Sequence, residues 1–256
     1  MRLAKLLISF FLLAIPANIF AMTAQEILDQ IGKQNFSENF RVFVTVKAFK
    51  GKKAISNHSL WLTVKVGKGN SSYFVDFEEP KESKGLRFLF LEGPGKEPSA
   101  FMYLPATGKT VPLAVDDPSV DVGGTGLTTE DLRGFIQKAN SQAELLCEEK
   151  SDGRDCYVIR IPNAETKGER VLWISKDGFL VLKNQQLDAE KKIIRTFKVA
   201  GFFKTDQGKE FPRQEEIVIP AKGVHINVRQ ENAVFGIEIP EEIMDPDKFG
   251  TFPWKG

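Results

Sequence analysis

The stretch that decides the fold is LRFLFL at residues 86–91, together with the nearby run FMYL at residues 101–104. In both runs apolar side chains follow one another almost without interruption instead of alternating with polar ones. Because neighbouring side chains of a β-strand point to opposite faces of the sheet, both faces of these strands must be shielded from water. The two runs therefore predict strands with apolar material packed on either side.

Most of the remaining chain shows the period of two that is typical of strands with one buried face. Val44 and Val46, for example, alternate with Thr45 and Lys47. Further strands are predicted at residues 59–66, 72–77, 144–147, 156–161, 170–174, 180–187, 193–203, 211–219 and 224–232. Tight turns such as those at residues 152–153 and 177–178 separate them. About eleven short strands in series predict a mainly β protein with a curved antiparallel sheet.

Two helices are predicted, each from a polar cap followed by apolar residues at helical spacing. Thr23 and Glu26 form a T-x-x-E capping box, and Thr128 is the expected N-cap of the second helix. The apolar faces consist of Ile27, Leu28 and Ile31 in the first helix and Leu132, Phe135 and Ile136 in the second. Two helices about 10 Å wide cover only part of one sheet face. The remaining apolar surface must close on itself or meet a ligand.

The first 21 residues have the pattern of a secretory signal peptide. Arg2 and Lys5 supply the positive start, residues 6–15 form an apolar run, and a cleavage site ends at Ala21. The apolar run is shorter than the roughly 20 residues of a membrane-spanning helix. The mature protein is therefore expected to begin near Met22, to be soluble and to work outside the cytoplasm.

The composition favours one domain that is rich in apolar contacts. Removing 21 of the 256 residues leaves 235, and no Pro/Ser-rich linker or charge run divides them, so a single domain over residues 22–256 is predicted. Basic and acidic side chains number 35 and 34 and are scattered, which argues against a nucleic-acid partner. The chain has 21 Phe but only 3 Tyr and 3 Trp, a preference for rings without a polar group.

The two cysteines, Cys147 and Cys156, flank a turn between two predicted strands. A separation of nine residues suits a disulfide across a hairpin in an oxidising compartment. A redox site is the alternative, but the sequence has no Cys-x-x-Cys motif. A structural disulfide is therefore expected.

Motifs for catalysis, metal binding or cofactor binding are not recognisable. The sequence has neither a Gly-x-Ser-x-Gly elbow nor a His-Glu-x-x-His pair, and His58 and His225 stand alone in strand-like segments. The glycine run at residues 123–126 lacks the Lys-Ser/Thr of a phosphate-binding loop. Acidic side chains near it are expected to serve as turn and cap residues, namely Asp116, Asp117, Glu130 and Asp131. We expect no enzymatic activity, no cofactor and no metal.

Phenylalanines in the strands are expected mostly to fill the core. Where helical coverage is thin, some of them can line a cavity for an aliphatic ligand, which needs no hydrogen bonds there. The residues alone do not distinguish a closed core from such a cavity. Both parities of the central strands are apolar, so they do not decide which side chains face it. The candidate cavity residues are Val44, Leu62, Phe74, Phe88, Phe90, Phe101, Met102 and Tyr103.

Four segments of the chain resemble a known family. They are SLWLTVK from residue 59, FEEPKESKGLRFLFL from residue 77, FMYLPATGKTVPL from residue 101 and GGTGLTTEDL from residue 123. In these segments the chain resembles the periplasmic outer-membrane lipoprotein-sorting proteins, the LolA-like carriers. The resemblance is most specific at residues 59–132 and extends loosely over the rest of the mature chain.

This resemblance implies an unclosed β-barrel of about eleven strands, with helices over its concave face and an apolar cavity between them. Members of the family take the acyl chains of a lipoprotein from an inner-membrane transporter and carry them to the outer membrane. The best-known carriers place an arginine three residues after the Leu-Trp pair, where it latches the helical lid. Here Val64 takes that place and Lys65 follows, and lysine lacks the planar fork of arginine.

The expected function is that of a monomeric periplasmic carrier of lipoprotein acyl chains or of a free lipid. The two helices form its lid, an inner-membrane transporter is its donor, and the outer membrane holds its acceptor. An alternative is a sensor or adaptor that binds mislocalised lipoproteins and signals through a partner. A periplasmic hydrolase ranks below both, because no nucleophile or base is recognisable.

Overall fold

The fold is that of a computed structural model, which describes residues 22–35, 38–67, 71–93, 96–114, 121–128, 131, 142–163, 166–206 and 208–254. The predicted signal peptide at residues 1–21 lies outside these ranges. The apolar face expected for the second helix, Leu132, Phe135 and Ile136, also lies outside them, as do Asp116, Asp117 and Glu130.

The described chain is mainly β, with one helix, α1, at Ala24–Asn35. The strands are β1 (Phe40–Lys50), β2 (Lys53–Val66), β3 (Ser71–Glu79), β4 (Arg87–Gly93), β5 (Lys96–Leu104), β6 (Lys109–Leu113), β7 (Glu144–Ser151), β8 (Arg154–Pro162), β9 (Glu169–Ser175), β10 (Val181–Leu187), β11 (Ile193–Lys204), β12 (Glu210–Ile219) and β13 (Val224–Phe235). Single 3-10 turns lie at Pro220–Lys222 and Glu241–Met244.

All thirteen strands belong to one antiparallel sheet, in the order β6-β5-β4-β3-β2-β1-β13-β12-β11-β10-β9-β8-β7. Pairing of the first strand with the last joins two meanders into a continuous sheet. Strands β6 and β7 are its edges, and in the described part of the chain no ladder joins them, so the sheet is not closed into a barrel.

The sheet has thirteen strands and not about eleven, and the predicted segments account for all of them except β6. Strand β6 was not predicted from the sequence, because it is short and contains Pro112. Proline lacks the backbone N–H that a central strand needs, but an edge strand tolerates it. Strand β6 pairs only with β5 and occupies that edge position.

Register divides the side chains between two faces, because residues directly opposite each other point the same way. We call the face that carries the largest apolar cluster the core face and the other the outer face. One row of the core face runs through Phe40, Val64, Tyr73, Phe90, Ala100 and Leu113. A second row runs through Val42, Leu62, Val75, Phe88, Met102 and Val111. The first half of the sheet thus presents a continuous apolar surface.

Helix α1 packs against the other half of the same face. Its N-terminus has the expected capping box, in which the Thr23 backbone N–H donates to Glu26 Oε2 at 2.7 Å and the Glu26 N–H donates to Thr23 Oγ1 at 3.2 Å. The helix buries Ile27 and Ile31, with Leu28 half-buried, against β8–β10. A third row of the core face links these strands to the centre of the sheet through Ile159, Leu172, Asn184, Phe197, Ile217, Ile226 and Ala48.

The C-terminal segment, residues 237–254, covers the outer face of β3–β5. It buries Phe74 and Leu89 under its own Ile243 and Phe249. Arg87 fixes it in place, because Nη1 donates to the carbonyl oxygens of three residues of the segment at 3.0 Å each. Both faces of β4 are therefore covered, as its uninterrupted apolar run predicts.

The expected disulfide does not form, and both cysteines are free thiols. Register shows the reason: Cys147 lies opposite Val158, whereas Cys156 lies opposite Glu149. The two cysteines are diagonal neighbours, for which Cα atoms are about 7–8 Å apart, whereas a disulfide needs about 4.4–6.8 Å. The turn at Asp152 and Gly153 pairs Ser151 with Arg154, and this register continues without a shift as far as Cys147, which leaves the two cysteines two residues out of line.

Candidate functional site

The candidate cavity residues divide between the two faces. The structure brings Val44, Leu62, Phe88, Phe90 and Met102 together on the core face. It places the other three, Phe74, Phe101 and Tyr103, on the outer face beneath the C-terminal segment. One sequence signal for this division was the aromatic content of that distant segment, which contributes Phe249, Phe252 and Trp254.

The candidate residues on the core face differ in solvent access. Val44, Phe88 and Phe90 are at most 4 % exposed, whereas Leu62 and Met102 are half-buried. The half-buried apolar residues that pack against this cluster are Leu62, Val66, Leu86, Met102, Leu113, Phe202, Phe203, Ile219, Val224, Ala233 and Phe235. We call this set the apolar rim. Apart from Phe202, which also packs against the Trp173 cluster of the outer face, it is core-face surface that an external apolar ligand can reach.

A cluster of phenylalanines lies where β1 begins and β13 ends, and two of its rings, Phe203 and Phe235, belong to the rim. The ring of Phe211 lies 5.4 Å from Phe40, 5.4 Å from Phe235 and 5.3 Å from Phe203, measured between ring centroids. The pairs are tilted or edge-to-face, which are the favourable geometries for aromatic rings. This part of the site therefore offers an aromatic hydrocarbon surface.

A glycine-rich segment crosses the core face between β3 and β13. We call residues 121–131, of which 121–128 and 131 are described, the strap. Val122 and Leu127 are buried in the large apolar cluster. The strap passes Phe77 of β3 and Ile226 of β13, so it runs transverse to the strands. It covers the central strands and leaves the rim beside it.

Glycine is required where the strap touches the sheet. A Cβ at Gly123 would lie 2.6 Å from the Phe77 ring, and one at Gly126 would lie 3.0 Å from Ile226 Cδ1. Both glycines have positive φ, +65° and +79°. Asp121 Oδ1 and Oδ2 accept the N–H groups of Gly124 and Gly126 at 2.7 and 3.1 Å. These two amides are thus held by the chain itself.

An arginine from the sheet anchors the far end of the strap. Arg195 of β11 forms an ion pair with Asp131, and both side chains are almost buried, at 12 % and 11 % exposure. Arg195 Nη2 also donates to the carbonyl oxygen of Gly126 at 3.4 Å. The Asp131 N–H donates to Thr128 Oγ1 at 3.3 Å, so the expected cap residues do cap this turn. Sequence reasoning missed Arg195, because its partner lies 64 residues away.

The position of the family's latch arginine has no such role here. Val64 belongs to a row of the core face, and Lys65 reaches Glu241 of the C-terminal segment, with Nζ 2.8 Å from Oε1. Its side chain therefore lies on the outer face, whereas the strap lies on the core face.

Two titratable groups lie on the core face close to the strap. Glu215 of β12 accepts a hydrogen bond from Gln230 Nε2 at 3.0 Å, and burial together with the nearby negative charge of Asp131 raises the pKa of Glu215 to about 7. His58 packs edge-on against Phe77, with ring centroids 5.7 Å apart. Burial lowers the pKa of His58, although the Asp121 carboxylate acts in the opposite direction. His225 lies opposite Phe49 on the outer face.

In the ranges that the structure describes, no helix is long and apolar enough to cross a membrane.

An open antiparallel sheet with one apolar face, packed by a helix, is the architecture of the LolA-like proteins, and solved structures bear out this similarity. An outer membrane lipoprotein-sorting protein domain of Vibrio parahaemolyticus, provisionally assigned as such, is 16 % identical with a TM-score of 0.79, covering 88 % of this chain and 97 % of that one. A DUF1329 family protein of Desulfovibrio piger is 18 % identical with a TM-score of 0.78, covering 87 % and 95 %. A LolA superfamily protein of Nitrosomonas europaea is 19 % identical with a TM-score of 0.64, covering 89 % and 99 %. At identities this low, the likeness shows the fold alone.

Residues 69–250 match the model of a family described as "uncharacterized protein", and because the match spans more than half of the chain, this protein belongs to that family. No protein with a curated description is similar to it in sequence.

Proposed function

We propose that this protein is a carrier that binds the acyl chains of a lipoprotein or of a free lipid on the apolar rim of its core face. In this proposal it has no catalytic activity, works as a monomer in the periplasm after removal of residues 1–21, and takes cargo from an inner-membrane transporter to the outer membrane. The fold that it shares with lipoprotein-sorting proteins supports this role.

The observation that carries the proposal is the half-buried apolar rim beside a fully buried apolar core. Leu62, Met102 and Leu113 pack on Phe88 and its neighbours yet keep contact with solvent. Hydrocarbon that covers such surface gains about 0.8 kcal/mol per buried CH₂, and it leaves no hydrogen bond unmade. A chain of a dozen carbons gains enough to bind without a covalent bond or a charged anchor.

The strap and α1 are the elements that such a ligand would displace. Helix α1 covers β8–β10, and the strap crosses the centre of the sheet. We propose that they act as the lid of the site. In this proposal Arg195 is the latch of the lid, a role that an arginine at a different position has in the best-known carriers. Few polar groups line the rim, which suits a carrier that must also release its cargo.

Strand β6 offers a matched pair of variants for the test. Leu113 lies opposite Ala100 on the core face, whereas Thr110 lies opposite Tyr103 on the outer face and is exposed. Delipidated protein is titrated with a fluorescent acyl lipid and with a triacylated lipopeptide. We expect Leu113→Glu to weaken binding at least about tenfold, because a carboxylate in the site must be desolvated. Thr110→Glu adds the same charge to the same strand and should bind as the wild type does.

Saturating lipopeptide should also raise the melting temperature of the wild type, because the ligand binds only the folded state. Equal affinities for the two glutamate variants, or no shift in melting temperature at saturation, would exclude the core face as the site. Transfer of the lipopeptide between two populations of vesicles tests the shuttling step by itself.

A further inference from the structure

One end of the sheet carries a basic surface that lipid binding on the core face does not use. The β1–β2 turn and the β12–β13 turn lie side by side there, and the Gly51 N–H donates to the Gly223 carbonyl oxygen at 3.3 Å. We call the exposed lysines of these two turns the basic tip: Lys50, Lys52, Lys53 and Lys222.

The charge of the basic tip is not neutralised by its surroundings. Segments 45–56 and 217–229 contain no Asp or Glu, although the whole chain is nearly balanced at 35 basic and 34 acidic residues. Among the described residues, none of the four ammonium groups takes part in an ion pair. The neighbouring turns at this end carry acidic residues of their own: Lys84 pairs with Glu78 and Lys191 with Glu169, and Glu79 and Glu82 are exposed in the β3–β4 turn. The exposed Glu216 of β12 is the nearest acidic residue along the strands of the tip.

Apolar side chains are exposed beside these lysines. Ile55, in a β-bulge just after the β1–β2 turn, is 51 % exposed, and Val218, just before the other turn, is 40 % exposed. Ile193 and Ile194 begin β11 at the same end and are 37 % and 42 % exposed. Of the six large hydrophobic side chains that are exposed in the described ranges, these four lie at this end.

We propose that the basic tip docks on a membrane surface that contains anionic phospholipid. Lysines near an anionic leaflet are each attracted to it, and branched apolar side chains among them can enter the boundary between head groups and acyl chains. Neither the lysines nor the apolar side chains alone give more than marginal attachment, but the two together suffice for reversible docking. Phosphates of a nucleic acid would satisfy the lysines but offer no apolar partner for Ile55 or Val218.

The test is co-sedimentation of the full chain with vesicles of phosphatidylethanolamine and phosphatidylglycerol, and with vesicles of phosphatidylcholine alone. We expect binding to the first at low salt, none to the second, and weaker binding as salt rises. Lys52→Glu/Lys222→Glu should weaken binding at least about tenfold, since each lysine near an anionic surface contributes about fivefold. Ile55→Ser should also weaken it.

The matched control is Lys150→Glu/Lys204→Glu, with the same change of charge at exposed positions on the opposite end of the strands. It should keep vesicle binding, and both double variants should melt like the wild type. Leu113→Glu should also keep it, which separates docking from binding of an acyl chain on the core face. The proposal is overturned if the two double variants bind anionic vesicles equally, if neutral vesicles bind as well as anionic ones, or if only a short DNA duplex binds at the tip.

Discussion

Glu215 shows how one side chain in an apolar surface acquires unusual acid–base behaviour. Its neighbours across the sheet on the core face are Val199 and Val228, and its amide partner, Gln230, carries no charge. An ionised carboxylate in this place loses water without gaining a cation, because Arg195 is paired with Asp131. Asp131 adds like charge, so the neutral acid is favoured and the pKa of Glu215 rises to about 7.

The stability of the protein should therefore depend on pH through this residue. In the unfolded chain the carboxyl pKa is about 4.5, so between pH 4.5 and 7 the native state holds a proton that the unfolded state has lost. The free energy of unfolding then falls as pH rises through this window, by up to about 3 kcal/mol, and levels off above it. Glu215→Gln mimics the neutral acid. It should match the wild type near pH 4.5 and be the more stable protein at pH 8.

Urea unfolding at several pH values measures this difference. Glu216→Gln is the matched control, because it makes the same change at the exposed neighbour on the same strand. Parallel stability curves for the wild type and Glu215→Gln would show that the carboxyl is ionised in the native state.

At the scale of elements, the strap is the feature whose packing the local sequence predicted least well. The run GGTG suggests a turn before a helix, and the caps Thr128 and Asp131 confirm part of that interpretation. Its packing across the sheet depends on contacts with Phe77, Ile226 and Arg195, which lie far away in the chain. A glycine at a helix entry and a glycine pressed on a phenylalanine ring look the same in a sequence.

The close approach predicts different costs for alanine at two neighbouring glycines. Gly123 and Gly124 both have positive φ, so alanine is strained at either position. A methyl group at Gly123 would overlap the Phe77 ring, whereas one at Gly124 would have only His58 Nε2 in ordinary contact at 3.9 Å. We expect Gly123→Ala to unfold more easily than Gly124→Ala by about 1–3 kcal/mol, the usual cost of overpacking. Chemical denaturation of both variants provides the measurement, and equal stabilities would show that the strap does not press on the ring.

At the scale of the whole molecule, the ladder between β1 and β13 joins the two meanders. The large apolar cluster crosses that ladder, since it combines Val44 and Phe88 from one side with Phe197 and Ile217 from the other. Because neither half can bury its part of the core face without the other, the two halves should unfold together.

Tryptophans on either side of the ladder can report on this cooperativity. Trp61 lies on β2 and Trp173 on β9, and each can be kept alone by changing the remaining tryptophans to phenylalanine. In both variants the fluorescence transition should coincide with the loss of β-structure followed by circular dichroism. A transition at Trp173 that is separate from the loss of most of the sheet would instead indicate two independent units.

Local sequence determined the elements of this protein, because their signals act over a few residues. Alternation at Val44 and Val46 predicted a strand, the pair Thr23 and Glu26 predicted where a helix begins, and the uninterrupted apolar run of β4 predicted cover on both faces. Only the tertiary structure decided which face of β4 belongs to the site. Phe88 and Leu89 are both apolar, so alternation carries no information there, and the choice depends on a C-terminal segment about 150 residues away that takes the Leu89 side. The offset of the cysteines also depends on pairing, since the turn that pairs Ser151 with Arg154 places Cys147 opposite Val158 and not opposite Cys156. Contacts between distant parts of the chain settle such choices, because the free energy that decides them comes from surfaces that meet only in the folded protein.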